Sequence, residues 1–194
     1  KKYFEENINN SNIPFVICTG KTYSIYQGLS SCFQASYGIF GNGTSIIDLK
    51  SGKEIYKSLL DTYTVKSVIE LAKKNNLHVH IYTKNQIVTE ELLYLDLRNY
   101  RLQKDNIYNN KLEFKIVPDL LNYISKKETP ISNIVISSNN SLKTIQEEIS
   151  NTLDVSILKI KKYGKFKDTI IDKEYEYLDI IPNNVSKGNA LEFL

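Results

Sequence analysis

Two histidines stand two residues apart in Leu77-His78-Val79-His80-Ile81-Tyr82. On a strand that spacing puts both imidazoles on one face, where a pair can ligate a metal ion. The same alternation describes the ordinary polar face of a strand, and the sequence favours that simpler reading. More chemistry is offered by two short turns, Thr19-Gly20-Lys21 and Gly41-Asn42-Gly43, each directly following an apolar run. In an open α/β sheet ligands bind beyond the carboxyl ends of the strands. A hydroxyl, a lysine and a carboxamide would then meet side by side at one sheet edge. Each turn has a plainer use as well, since Thr19 can cap a following helix and Asn42-Gly43 suits a tight reversal. Near the other end, Ser186 is an N-cap candidate, and Lys187 follows it in what reads as the first turn of a helix.

The elements that must position these residues can be read from pattern. Lys1 to Ile8 has helical character and is broken by Asn9-Asn10-Ser11-Asn12. Ile13 to Cys18 is a continuous apolar run, as expected of a strand buried on both faces, and it makes Cys18 a small buried hydrophobe. A helix is predicted from Tyr23 to about Leu29, and Tyr37 to Phe40 is a second buried strand. Strand, polar turn, helix, strand is the grammar of an open α/β sheet.

The middle of the chain changes character. Ser45 to Leu49 and Glu54 to Tyr56 flank Lys50-Ser51-Gly52-Lys53, a hairpin signal. Val65, Val68, Ile69 and Ala72 recur at helical spacing, His78 to Thr83 is a strand, and Gln86 to Val88 can pair with it. Glu90 to Gln103 is predicted helical, Lys111 to Val117 extended, and a short helix should open at Pro118. Ile131 to Ser137 is a strand, and Ser141 to Asn151 is a helix with Leu142, Ile145 and Ile149 inward. Val155 to Lys161 and Tyr175 to Ile181 are further strands. This is an α+β module with its own sheet, set between two pieces of α/β core.

Composition narrows the partners. The 194 residues are 41% hydrophobic and 24% charged with a net charge of +3, which suits a globular domain rather than a tail or a fibre. Positive charge is dispersed, its longest stretch being Lys159-Ile160-Lys161-Lys162, and no basic surface with interleaved aromatics argues for nucleic acid. No segment reads as a membrane span or leader, and two unpatterned cysteines, Cys18 and Cys32, fit a reducing compartment, so a cytoplasmic protein is expected. The chain has no methionine and opens on Lys1-Lys2-Tyr3 within a helical pattern. It closes at Leu194 inside another helix. Flanking residues are therefore expected.

Three stretches together resemble the Cof-like phosphatases of the haloacid dehalogenase superfamily, whose large insert is the class IIB cap. Ile13-Pro14-Phe15-Val16-Ile17-Cys18-Thr19-Gly20-Lys21 is similar to that family's second motif, a strand ending in Thr-Gly-Arg. Ile39-Phe40-Gly41-Asn42-Gly43 resembles its apolar strand ending in Asn-Gly. The segment from Tyr177 to Gly188, with Leu178-Asp179-Ile180 and Val185-Ser186-Lys187-Gly188, resembles its third motif and is the most specific of the three.

The resemblance implies an α/β fold, part of a Rossmann-like parallel-sheet core with an inserted α+β cap domain. Residues 1–55 would be partial core, 56–181 the cap, and 182–194 the return to the core. It implies a phosphatase that forms an aspartyl-phosphate with Mg²⁺ as cofactor and a small phosphorylated metabolite, first of all a sugar phosphate, as substrate. Thr19 and Lys187 would be catalytic, Thr19 donating to a phosphoryl oxygen and Lys187 countering negative charge. Gly20, Lys21, Asn42 and Gly43 would bind substrate, and Arg98 would meet it from the cap, near Tyr94 and Arg101 on one helix face. Lys21 departs from the usual Arg, keeping the charge but losing the bidentate fork.

The family's Asp-x-Asp-Gly and Gly-Asp-x-x-Asn-Asp motifs do not occur in these residues. Asp48, Asp61, Asp168, Asp172 and Asp179 fall within the insert or at its junctions and form no paired pattern. No metal ligand is therefore assigned in this chain, and the 194 residues alone should be inactive. Two other readings remain: a phosphometabolite-binding relative without chemistry, and an interaction module built on the cap-like sheet.

Overall fold

The computed structural model describes residues 6–7, 14–26, 35–83, 86–91, 113–126, 129–164 and 173–194. Most of the predicted opening helix, the later part of the helix after Tyr23, the predicted helix beyond Glu91 with Tyr94, Arg98 and Arg101, and Cys32, Asp168 and Asp172 lie outside them. The chain divides into two compact units. One runs up to Ser58 and resumes at Val185, and the other begins at Leu59 and ends at Asn184.

The first unit holds β1 (Val16–Cys18), α1 (Tyr23–Tyr26), β2 (Tyr37–Phe40), β3 (Ser45–Asp48), β4 (Glu54–Lys57) and, after the insertion, α5 (Lys187–Phe193). Its strands lie in the order β1-β2-β3-β4. β1 and β2 are parallel, with Cys18 opposite Ile39, and the remaining pairs are antiparallel. Asp48 shapes the β3–β4 hairpin by accepting from the amides of Lys50 (2.9 Å) and Ser51 (3.2 Å). Gly52 supplies the positive φ the turn requires. Phe40 and Ile47 are buried together on one side of the sheet, while Ile39, Ile46 and Ala190 of α5 are buried on the other. The Tyr56 and Phe193 rings meet at 5.2 Å.

Cys18 departs from expectation. The apolar run suggested burial on both faces, yet Cys18 is exposed. Among the described residues β1 is an edge strand, and Cys18 is its last residue, where the sheet gives way to the Thr19 turn.

The second unit adds α2 (Thr62–Lys74), β5 (His78–Tyr82), β6 (Gln86–Thr89), β7 (Glu113–Ile116), α3 (Leu120–Lys126), β8 (Asn133–Ser138), α4 (Lys143–Thr152), β9 (Val155–Gly164) and β10 (Lys173–Pro182). Its sheet runs β7-β6-β5-β8-β10-β9 and is antiparallel apart from the β6–β7 pair. Val65, Val68, Ile69 and Ala72 of α2 and Leu142, Ile145 and Ile149 at α4 are buried as their spacing predicts. They pack with Leu120 and Ile124 and with the strand residues Val79, Ile81, Ile134, Ile136, Leu178 and Ile180 in one core. Asp61 caps α2, accepting from the Thr64 amide at 2.9 Å and the Thr64 hydroxyl at 2.6 Å. α3 begins two residues beyond Pro118 because the Asp119 carboxylate accepts from the amides of Leu121 and Asn122 and so starts the turn there.

The alternate residues of β5 face the other side of this sheet, and there the polar-face reading needs correction. His78 and His80 share a face, their rings 5.5 Å apart, but both are buried rather than solvated. Thr89, Asn133, Ser137 and Asp179 are buried in the same layer, by register. His78 Nε2 lies 3.0 Å from the Glu91 carbonyl, and Asn133 Nδ2 donates to Asp179 at 3.0 Å. Burial, with His78 alongside, holds the pKa of His80 well below the ordinary histidine value. Among the described residues no three His, Cys, Asp or Glu side chains gather as metal ligands, and no described helix is long and apolar enough to cross a membrane.

Candidate functional site

The site lies within the first unit, where β1 and β2 run out together. Parallel pairing brings the carboxyl end of each strand to the same edge, so the turns that follow are neighbours by construction. The Thr19 amide donates to the Ile39 carbonyl at 2.9 Å, extending the ladder by one bond. The turns then interlock. The Gly41 amide donates to the Lys21 carbonyl at 3.0 Å, and the Asn42 amide donates to the Thr19 carbonyl at 3.4 Å. Thr19 Oγ1 accepts from the Lys21 amide at 3.2 Å, which leaves the hydroxyl proton for another acceptor.

Glycine is required here by proximity and by backbone. A Cβ on Gly20 would lie 2.6 Å from Asn42 Oδ1, so the carboxamide rests directly on the Gly20 backbone. Gly41, Asn42 and Gly43 take positive φ in succession, at 57°, 60° and 111°. Asparagine tolerates the middle value better than most residues, and glycine serves the flanking ones.

Gly43 also touches the return of the chain. A Cβ there would lie 2.6 Å from the Ser186 carbonyl carbon and 3.2 Å from the Lys187 nitrogen. Ser186 caps α5 as predicted, its hydroxyl oxygen accepting from the Asn189 amide at 3.0 Å. Lys187 is the first residue of that helix and is exposed. Ala190 anchors the helix by burial beside Ile39 and Ile46.

An electrostatic link ties Lys187 to β1. Partial burial of its sulfur pushes the Cys18 thiol pKa up, and the positive charge of Lys187 opposes that shift. The ammonium thus acts at the end of the strand that delivers Thr19. Thr19, Gly20, Lys21, Asn42, Gly43 and Lys187 are brought to one edge of one sheet, while Arg98 lies outside the described residues. Two neighbours escaped the sequence reading. Cys18 looked like core, and Thr22, whose buried Oγ1 has no hydrogen-bond partner among the described residues, carried no signal in so short a turn.

Of the aspartates singled out in the sequence, the three that are described lie away from this edge. Asp48 pairs with Tyr37 at the opposite end of β2 and is occupied by its own turn. In the other unit, Asp61 caps α2 and Asp179 accepts from Asn133. Magnesium prefers several oxygen ligands in octahedral array, with carboxylates supplying the charge. The described residues do not offer that set.

Comparison with known proteins supplies the family. A Streptococcus pyogenes serotype M6 protein bearing the name of a phosphatase is 25% identical over 183 residues. That match takes in 92% of this chain and 61% of the relative, so the chain spans about three fifths of the curated relative's length. A haloacid dehalogenase-like hydrolase of B. subtilis shares the fold at a TM-score of 0.71 and 14% identity, over 99% of this chain and 69% of that one. A structure described as a subclass IIB sugar phosphatase superposes at a TM-score of 0.62 and 12% identity, over 98% of this chain and 65% of that one. The α/β fold agrees with these neighbours, and the Cof-like resemblance read from the three motif stretches agrees with the family model. The haloacid dehalogenase-like hydrolase family model matches residues 2–194, and the chain belongs to that family.

Proposed function

We propose that these residues form the phosphate cradle and cap of a phosphatase that hydrolyses small phosphorylated metabolites, with sugar phosphates as the first class to test. One observation carries the reading. Thr19, the Asn42-Gly43 turn and Lys187 come from three distant parts of the sequence and gather beyond the carboxyl ends of two parallel strands. A hydroxyl with a proton to give and an ammonium are what a phosphoryl group needs as charge builds on its oxygens. In this reading Thr19 donates to one phosphoryl oxygen and Lys187 offsets the negative charge. Gly20, Lys21, Asn42 and Gly43 line the cradle. The unit from Leu59 to Asn184 is taken as the class IIB cap, and Arg98, outside the described residues, is assigned to substrate binding by the resemblance alone.

The nucleophilic carboxylate and the general acid are assigned to residues outside these 194. Magnesium, when bound, would neutralise charge on the phosphoryl group. Since the described residues do not fit it, its ligands are assigned to the same flanking carboxylates. The 194 residues alone should therefore turn over no phosphate ester. The sugar assignment draws support from one structural neighbour described as a sugar phosphatase and from a modest positive charge. The cytoplasm is the expected compartment, consistent with two unpatterned cysteines.

The test is a panel of phosphorylated sugars, nucleotides and cofactors assayed with the full-length protein and magnesium, beside Lys187→Met. Loss of one charged donor to the transferring group should lower kcat by roughly 10²- to 10³-fold. Binding of phosphorylated ligands without turnover by the full-length protein would replace the enzyme reading with the non-catalytic one. Full activity in Lys187→Met would remove Lys187 from the cradle.

A further inference from the structure

Lys187 sits on a helix that returns to the first unit after a long insertion, so something must fix its distance from the Thr19 turn. α5 is short, and Ala190 is its one buried residue. Phe193 meets the Tyr56 ring at 5.2 Å, but both side-chain anchors lie beyond the start of the helix, where Lys187 stands. The contact at the helix start is backbone on backbone, where Gly43 meets the Ser186 carbonyl and the Lys187 nitrogen with no room for a Cβ. The same three-residue turn holds the other side of the site. The Asn42 amide binds the Thr19 carbonyl, the Gly41 amide binds the Lys21 carbonyl, and the Asn42 carboxamide rests on Gly20.

We infer that the Gly41–Gly43 turn is a positioning element, with Gly43 setting the gap between the Lys187 helix and the Thr19 loop through direct backbone contact. The inference deepens the proposed function and rests on it for its catalytic meaning. The geometric claim stands apart from activity. Adding one methyl group at Gly43 must push Ser186 and Lys187 outward, because the atoms it meets are main chain and cannot rotate away. Gly43 also has a φ of 111°, which a side chain strains, so loss of stability alone would not distinguish positioning from packing. Gly52 provides the control. It too has a positive φ, at 71°, but an added Cβ would meet nothing within 4 Å.

Cys18 provides the ruler, since its thiol feels the Lys187 charge and is exposed to reagent. In the full-length protein the pH dependence of Cys18 alkylation by iodoacetamide would be followed by mass spectrometry of its own peptide, which separates it from Cys32. An ammonium favours the thiolate, so removing or retracting it moves the midpoint to higher pH. Lys187→Met should give the full upward shift and Gly43→Ala part of it, while Gly52→Ala should keep the wild-type midpoint. In activity, Gly43→Ala should lower kcat more than it raises KM. The double variant Gly43→Ala with Lys187→Met should be no slower than Lys187→Met alone.

A wild-type midpoint in folded Gly43→Ala, or in Lys187→Met, would overturn the inference. So would multiplicative losses in the double variant. If Gly43→Ala does not fold, Asn42→Gly, which suits the backbone at φ 60°, slackens the same turn and should shift the midpoint the same way. An unshifted midpoint there would equally refute the idea. Shifted midpoints with undiminished turnover in Lys187→Met would leave the positioning intact and defeat the proposed function instead.

Discussion

Replacing Thr19 by valine removes one hydroxyl and almost nothing else. Valine keeps the β-branched shape, so the strand end and its bond to Ile39 should persist. The internal partner lost is the Lys21 amide, which Thr19 Oγ1 accepts at 3.2 Å in an exposed position where water can substitute. Thermal stability should therefore change little. Activity should change much more, because the lost bond is to a charged phosphoryl oxygen. Such bonds are worth about 1.5–3 kcal/mol, which corresponds to roughly 10- to 150-fold in kcat/KM.

Thr19→Ser separates hydroxyl from shape and should retain most of the activity. The assay is steady-state hydrolysis by the full-length protein, using whichever phosphate ester the panel shows to be best. Melting curves run alongside would confirm that the variants fold. Thr19→Val turning over as fast as wild type would refute the reasoning, for Thr19 would then be a loop residue bonded to Lys21 and nothing more. A Thr19→Ser variant as impaired as Thr19→Val would also count against it, since the effect would then follow shape.

Three further outcomes concern the second unit. Asp61→Ala should cost about 0.5–2 kcal/mol in urea unfolding by stripping the α2 cap. The Thr64 hydroxyl and then its amide hold the Asp61 pKa down. That stabilisation is present above the ordinary carboxylate range and is lost as pH falls through the lower folded value, so the variant and wild type should converge in acid. His80 is held neutral by burial, so the unfolded chain takes up its proton first as pH falls below about 6.5, and stability should decline there. His80→Gln should flatten that decline in urea midpoints measured between neutral and acid pH. Glu176 is nearly buried and accepts from the Leu142 amide at 2.9 Å while pairing with Lys159 at 2.9 Å. Glu176→Ala should cost about 1–3 kcal/mol by leaving the start of α4 unsatisfied, again read by urea unfolding.

The site was more legible than the faces around it, for a physical reason. Turn chemistry is local. A run of Gly, Asn, Thr and Ser after apolar strands announces positive φ values and caps wherever it occurs, and Gly41-Asn42-Gly43 and Ser186 behave as their types require. Burial is not local. Alternation placed His78 and His80 on one face but could not say what covers it, and a polar layer satisfied inside the protein has the same period as a wet one. Cys18 failed in the opposite direction, since an apolar run does not reveal whether its strand has one neighbour or two. The long hairpin of β9 and β10 was read short because Lys162 and Glu174, just beyond the predicted strand ends, look like loop residues. Charged residues pair across it instead: Lys161 reaches Glu174 at 2.9 Å and Glu176 at 3.8 Å across the strand pair. Contacts between residues near in sequence leave a mark in residue type. The contact between Gly43 and Ser186, made across an entire inserted unit, leaves only the demand for a glycine, and that demand has its cause in the fold.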